Sequence, residues 1–430
     1  MRATVENPNP YLLRFQQLLT RSALVARRYV EAEGLTTPLS DAARERAQNV
    51  LGYTLKAAEA WAATRDLLLA LAPKMEMAGY RSEWLPYLAD GVAQSQRQGD
   101  QAAEAALQFQ CGYLYRLMSN YAKAHSSLNA SAAHYAALGD AEGQARALNQ
   151  LAYLAWQQHR YEEAITLAQQ ALLLVGALDV EKATSLSALG LVAIDRSQWQ
   201  EAAQYHKEAL HIRAYHAQRR QMAWSLQNLA LALRGQQEYE KAIAYYEEAI
   251  AILDEVHDPA NRAIVQMNLG IVYYFREEFT KALAIYRLAE TSFHQFADDF
   301  NLGKVLTNQG LGYLALQQWS QAESAFTESM NCFQKLADRG WYLNALDGLG
   351  ITYLEQGFYD KALVIFESVQ LQLTDIINPF AKSGIEDKNR LRVNSTERRD
   401  LSIFRIGFDM LERILTNSLP FSIRPLPYFL

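Results

Sequence analysis

The sequence predicts an all-α protein, an α-solenoid of stacked antiparallel helix pairs. A recurring three-residue mark is the first reason: a small residue, an aromatic nine positions later, and an alanine three after that. It occurs as Gly112/Tyr121/Ala124, Ala152/Tyr161/Ala164, Gly190/Trp199/Ala202, Ala230/Tyr239/Ala242, Gly270/Phe279/Ala282, Gly310/Trp319/Ala322 and Gly350/Tyr359/Ala362. Spacing is the second. Taken as anchors, the small residues step by 40, 38, 40, 40, 40 and 40, and self-similarity at such a period is the signature of a repeat architecture. Composition is the third. Of 430 residues, 50% are apolar, 20% are charged and only 10 are proline, which suits an ordered, helix-rich chain with a large core in one elongated domain.

The mark has a physical reading as a helical hairpin. A small anchor lets the first helix approach the second closely, and the alanine is expected to be the second helix's side of that contact. The aromatic at the start of the second helix fills the wedge where the two splay apart. One hairpin cannot bury its apolar faces alone, so neighbours must stack.

In chain order, residues 1–9 are polar and contain proline. Tyr11 to Glu33 reads as a helix stopped by Gly34, so residues 1–40 are expected to form an N-terminal arm and capping helix. Asp41 is the expected N-cap of a long helix running toward Leu71. Tyr80 lies 41 residues before Tyr121. With Leu71 at the anchor and Glu83 where alanine should stand, this stretch reads as a degenerate eighth copy, as end repeats often are. Residues 41–377 therefore carry about eight repeats. Asp100, Asp140, Asp179, Asp258, Asp298 and Asp338 each precede a first helix, where a carboxylate can accept from orphan N–H groups. Asp258-Pro259 adds proline at the first helical position, where its missing donor costs nothing. The junction at 219–222, Arg-Arg-Gln-Met, has no such cap, and its helices are expected to run on without a clean break. The pattern stops after Asp375. Residues 378–395 read as a charged linker, and residues 396–430 as a C-terminal helix with an apolar tail. In the helix Leu401–Leu415 the apolar arc is about twice the polar one, at 3.6 residues per turn. Leu401, Phe404, Phe408, Leu411 and Leu415 on that arc are expected to cap the last repeat or to form a partner surface, including one for self-association.

The mark resembles the tetratricopeptide repeat, over roughly Arg65 to Asp375. The common form of that family has a period of about 34 residues. The longer period here is similar to the subgroup found in bacterial signalling sensors and kinesin-light-chain-like adaptors. HEAT-type repeats share the period but not the small/aromatic/alanine mark. The resemblance implies a right-handed superhelix.

Catalytic signatures are missing. The sequence contains no GxxxxGK[ST], GxGxxG, HExxH or GxSxG run. Neither an active site nor a cofactor is expected, because repeat solenoids present surface rather than closed pockets. His206, His211 and His216 are spaced by five, which turns each by about 140° around a helix and gives no shared metal position. Glu247-Glu248 and Glu277-Glu278 fall in or beside turns and read as solvated. A net charge of −6 gives no general electrostatic reason to hold nucleic acid. No apolar run reaches membrane-spanning length and no signal-peptide core is present, so the chain is expected to be cytoplasmic, with no membrane partner. The two cysteines, Cys111 and Cys332, sit in different repeats, and Cys111 precedes an anchor as core packing in a reducing compartment would. Asn129-Ala-Ser131 and Asn394-Ser-Thr396 match glycosylation acceptors that matter only on secretion.

The surface carries more information. In each first helix the core stripe is expected at the anchor and at the positions four before, one before and three after it, within about 100° of arc. The residue two before the anchor points the other way, toward the concave side. That position reads Gln110, Gln150, Ala188, Asn228, Asn268, Asn308, Gly348. One after the anchor come Tyr113, Tyr153, Leu191, Leu231, Ile271, Leu311, Ile351. A carboxamide donates and accepts at once, which suits gripping the main chain of an extended peptide, with the apolar neighbours as side-chain pockets. Peptide-clamping tetratricopeptide domains often have asparagine at the matching place, and Asn228, Asn268 and Asn308 match it while Ala188 and Gly348 break the ladder. The candidate groove is therefore Gln110, Gln150, Asn228, Asn268, Asn308, Leu231, Ile271 and Leu311. The plainer alternative is that asparagine, a mediocre helix former, merely fills a wet face. Arg116 and Arg146 near one end, and Asp347 and Glu355 near the other, suggest a preferred direction for a bound segment.

The expected function is a non-enzymatic interaction scaffold or adaptor that holds a peptide or partner helix in its concave groove. The alternative is a sensor module of a bacterial signalling system acting in trans on a separate effector.

Overall fold

The computed structural model describes residues 10–32, 39–77 and 81–377. Among these the regular structure is helical, and no strand occurs. The helices group into two compact units, one through Val192 and one from Ala193.

The first unit opens with α1 (Pro10–Ala32), α2 (Asp41–Thr54), α3 (Trp61–Met77) and α4 (Arg81–Gln98). α1 lies against α2 and α3. It buries Ala23, Ala26 and Val30, and Arg27 reaches Asp66 of α3 at 2.8 Å. The long helix expected from Asp41 to Leu71 is broken. Ser40, not Asp41, accepts from the Ala43 N–H at 3.3 Å, α2 ends at Thr54, and a short 3-10 turn at Ala58–Ala60 intervenes before α3. α3 and α4 form the degenerate hairpin. Its tightest contact has moved: a Cβ on Gly91 would lie 2.8 Å from Leu68 Cδ1, whereas Glu83 is exposed. The unit continues with α5 (Gln101–Leu117), α6 (Tyr121–Leu138), α7 (Ala141–Gln157), α8 (Tyr161–Leu174) and α9 (Val180–Asp195).

The second unit contains α10 (Trp199–Tyr215), α11 (Arg219–Gly235), α12 (Tyr239–Glu255), α13 (Pro259–Phe275), α14 (Phe279–Gln295), α15 (Asp299–Ala315), α16 (Trp319–Lys335), α17 (Arg339–Glu355) and α18 (Tyr359–Ile377). α12, α14 and α16 each pack between the first helices on their two sides, α10 packs on α11 and α18 on α17, and neighbours in the series α11, α13, α15 and α17 also touch directly. The first helices thus form one wall and the second helices another.

Helix ends follow from the sequence. The expected aspartates do cap: Asp100, Asp140, Asp258, Asp298 and Asp338 each accept from the N–H three residues on, at 2.8–3.2 Å, and Asp179 accepts from Glu181 N at 2.8 Å. The C-terminal ends share one device. A single left-handed residue follows the helix, and the next N–H returns to a carbonyl one turn back, as Asn120 N does to Tyr115 O at 2.8 Å and Glu278 N to Tyr273 O at 2.9 Å. Gly99, Gly139 and Gly357 fill that position in three turns, and non-glycine residues such as Ala217, Ala297 and Ala337 fill it in the others. This also corrects the junction near 219. Without an aspartate cap the chain still breaks cleanly, because Ala217 turns at φ 53° and Gln218 N bonds Arg213 O at 3.0 Å. The Val175–Asp179 connection differs, with Val175 extended.

The small anchors serve as predicted, but with a different partner. A Cβ on Gly112, Gly270, Gly310 or Gly350 would lie 2.3–2.7 Å from Leu128, Tyr286, Phe326 or Phe366, each sixteen residues on in the second helix. The alanines of the mark are buried to 0–1% exposure as separate core positions. The aromatics bridge two ways. Phe279 packs edge-on against Tyr274 of its own hairpin at 5.3 Å, while the Trp199 ring lies over Gly235 of the following first helix.

Candidate functional site

Each first helix is buried along two stripes, so only a narrow strip between them faces away from the core. In the second unit the expected core positions Leu226, Leu306 and Leu346 are buried, and so are Ser225, Val265, Val305 and Ala345 at the position one residue earlier. The strip that remains holds the positions six, three and two before the anchor, and one after it. These share one face and span about two turns of the helix.

The proposed groove residues all fall on this strip, at different depths. Asn228, Asn268 and Leu231 are half-buried. Asn308, Leu311 and Ile271 are deeper, at 3%, 8% and 3% exposure. Ile271 joins a core cluster with Met267, Leu283 and Leu302, and Leu311 one with Ala322 and Phe326. The carboxamides of Asn228 and Asn268 have no hydrogen-bond partner among the described residues. In the first unit Gln110 and Gln150 are half-buried. Gln150 is already engaged, since Arg116 Nε donates to its Oε1 at 3.1 Å. The same guanidinium donates to Gln157 at 3.3 Å and sits over the Tyr113 and Tyr153 rings at 5.5 and 5.6 Å. Phe109 stacks on Tyr113 at 6.3 Å. The wall of this unit is therefore a surface of aromatic rings with the Arg116 guanidinium held over them, rather than an amide ladder. Arg146 is tied to Glu142 at 2.7 Å and Glu181 at 3.3 Å, and Glu355 is exposed. The tail residues Leu401, Phe404, Phe408, Leu411 and Leu415 lie outside the described residues.

Sequence reasoning passed over the position six before the anchor, which is the most open on the strip. It reads Ala106, Arg146 and Thr184 in the first unit and Trp224, Ile264, Lys304 and Asn344 in the second. These are half-buried except Trp224, which is 40% exposed. The signal was present, because this position lies one turn, i to i+4, from the amide position.

Two charged residues on the second unit's strip make no ion pair among the described residues. Lys304 on α15 sits between the Phe300 and Trp341 rings, 5.6 and 5.5 Å from their centroids. Burial holds its ammonium below the usual lysine range. The acid that opposes this is Asp298, which is also occupied in capping α15. Asp347 on α17 makes no hydrogen bond or ion pair among the described residues, and burial alone pushes its carboxyl up to about 7. Elsewhere, His206 is buried, while His211 and His216 are exposed. Among the described residues no three or more His, Cys, Asp or Glu converge as a metal site would need. No helix there is long and apolar enough to cross a membrane.

The family model described as tetratricopeptide repeat matches residues 143–214, 220–293 and 301–369. No curated protein sequence matches the chain. Similar solved structures include a Rap protein complexed with Competence and Sporulation Factor, at TM-score 0.56 and 15% identity over 83% of this chain and 97% of that one. The apo quorum sensor NprR of B. thuringiensis gives 0.59 and 15% over 74% and 88%. A signal-transduction ATPase with a tetratricopeptide-repeat sensor, from Pyrococcus horikoshii, gives 0.55 and 14% over 80% of this chain and 54% of that one.

Proposed function

The chain belongs to the tetratricopeptide-repeat family, and on that premise we propose that it is a non-enzymatic interaction protein which holds an extended peptide or partner helix against the first-helix wall of its second unit. The observation that carries this reading is the pair Asn228 and Asn268. Two carboxamides stand in register, half-buried, with no hydrogen-bond partner among the described residues. Half-buried carboxamides can bond water in the free chain, and a peptide main chain offers both complements in its place. Asn344, two repeats beyond Asn268 and on the same strip, is also without a hydrogen-bond partner among the described residues.

A second reading is a sensor module acting in trans on a separate effector. Its support is the company of the fold: a Rap protein in complex with a peptide factor, a quorum sensor, and a repeat sensor joined to an ATPase. Both readings place the chain in the cytoplasm and use the same wall, so one experiment bears on both. Peptides selected on the full chain from a display library of random dodecapeptides should bind the Asn228→Ala and Asn268→Ala variants more weakly. The expected loss is about 1–2 kcal/mol for each carboxamide, with unchanged melting. Affinities indifferent to both substitutions would move the binding site off this wall.

A further inference from the structure

Two unpaired charges of opposite sign on touching helices specify more than a groove. Resting on the groove reading above, we infer that Lys304 and Asp347 are the two poles of a subsite for a peptide segment that carries both an acid and a base. The acidic group would sit at Lys304 on α15, and a lysine or arginine side chain, or an amino terminus, at Asp347 on α17.

Lys304 has aromatic rings on two sides and no carboxylate at ion-pair distance among the described residues. Rings facing an ammonium leave its remaining donors for an incoming acceptor. Asp347 has no cation and no hydrogen-bond donor among the described residues. Burying a carboxyl this way is costly unless something pairs with it. The nearby helix surface offers no replacement: Asn344, one turn before it, is neutral, and Ile351, one turn after, is apolar.

Nor do the two groups satisfy one another. They stand three positions apart in repeat register, on helices α15 and α17 that are in direct contact. A rise of about 1.5 Å per residue and an interaxial distance of about 8–10 Å separate them by roughly 10 Å. That is too far for an ion pair. It is the span of about three residues of extended chain, so one short segment can meet both.

The test uses the dodecapeptides selected on the wild-type chain, repeated on Asp347→Asn and Lys304→Met. Both substitutions keep side-chain size and remove only the charge. Selected sequences should share a basic and an acidic residue about three positions apart. The Asp347→Asn selection should lose the basic preference alone, and the Lys304→Met selection the acidic one alone. For one wild-type peptide, Asp347→Asn should weaken binding by roughly tenfold or more, the loss expected when one partner of a buried charge pair is removed. Replacing the peptide's basic residue with norleucine should give the same loss, and combining the two changes should add nothing further. That second measurement stands even if a protein variant is unstable. Binders that depend on Asn228 and Asn268 but show no charge pattern, or keep it in both variants, overturn this inference and leave the groove reading intact. Binders indifferent to those asparagines, or no binders at all, overturn both.

Discussion

Gly270 of α13 and Tyr286 of α14 touch so closely that a Cβ on the glycine would lie 2.3 Å from the tyrosine ring. The tyrosine is 1% exposed and cannot swing out to water. Gly270→Ala should therefore destabilise the chain by about 1–3 kcal/mol through overpacking. Adding Tyr286→Ala to Gly270→Ala should cost less than the two single effects summed, since the clash disappears with the ring. Additive losses in chemical denaturation would show that the two residues do not press on each other.

The left-handed turns make a prediction of opposite sign. Ala217, Ala297 and Ala337 hold φ of 53°, 51° and 54°, a region that penalises any side chain with a Cβ. Replacing any one with glycine should stabilise the chain by about 0.5–1 kcal/mol, after the entropy glycine adds to the unfolded state is deducted. Gly139→Ala, at φ 71°, should lower stability by a similar amount. Melting curves of the four variants decide it.

Asp347 links stability to pH. Its folded carboxyl titrates at about 7 against an ordinary 3.8, so between those values the folded chain keeps a proton that the unfolded chain has released. Stability from this group is therefore largest at or below about pH 4, falls as pH rises toward 7, and is flat above. A fully dry site would give about 4 kcal/mol, and residual water contact reduces this. Asp347→Asn should raise stability by roughly 1–3 kcal/mol at pH 8 and by little at pH 4. A wild-type-minus-variant difference that does not change with pH would contradict this assignment.

The thiols should be silent in the folded state. Burial pushes Cys111 up to about 12 and also raises Cys332, and both are free. Alkylation at pH 8 should proceed at the rate of unfolding and accelerate with denaturant. Rapid labelling of native protein would mean that one of the repeats opens readily.

The tail can be tested without assuming its structure. On α18, Leu363, Val364 and Leu371 are 41%, 66% and 54% exposed among the described residues, so the outer side of the last helix is apolar. Deleting residues 396–430 is expected to lower the melting temperature or provoke aggregation, as loss of a cap would. A stable monomer arising from a larger assembly would instead make the tail an interface. No change in mass or melting would remove both roles.

Much of the fold was legible because the mark reports local contacts. Anchor, aromatic and alanine lie within thirteen consecutive residues, and a helical hairpin is settled at that range. What escaped was either longer in reach or hidden by equivalence. The partner of Gly270 is Tyr286, but hydrophobic residues sixteen positions past an anchor vary from Leu128 through Ala168 to Phe326, so no single letter betrays the contact. The break after Thr54 has no proline or glycine at Leu55–Ala57 to announce it. The amide positions were readable from helical phase, but their depth was not. Asn308 and Asn268 occupy the same phase, yet Asn308 is 3% exposed and Asn268 half-buried. Depth depends on side chains contributed by other helices, which helical phase alone does not encode.

The uniform left-handed turns also say how such a chain can change length. Where the joint entering a repeat has the same backbone form as the joint leaving it, a genetic duplication or excision of 40 residues restores the same junction, whichever copy is involved. The polypeptide is spliceable at these points in a way that a globular core is not. The Val175–Asp179 connection, with its extended valine and 38-residue step, is the seam where that interchange would fail. Recombinants that gain or lose a module between Gly235 and Gly357 should fold, and those cut at Gly176 should not.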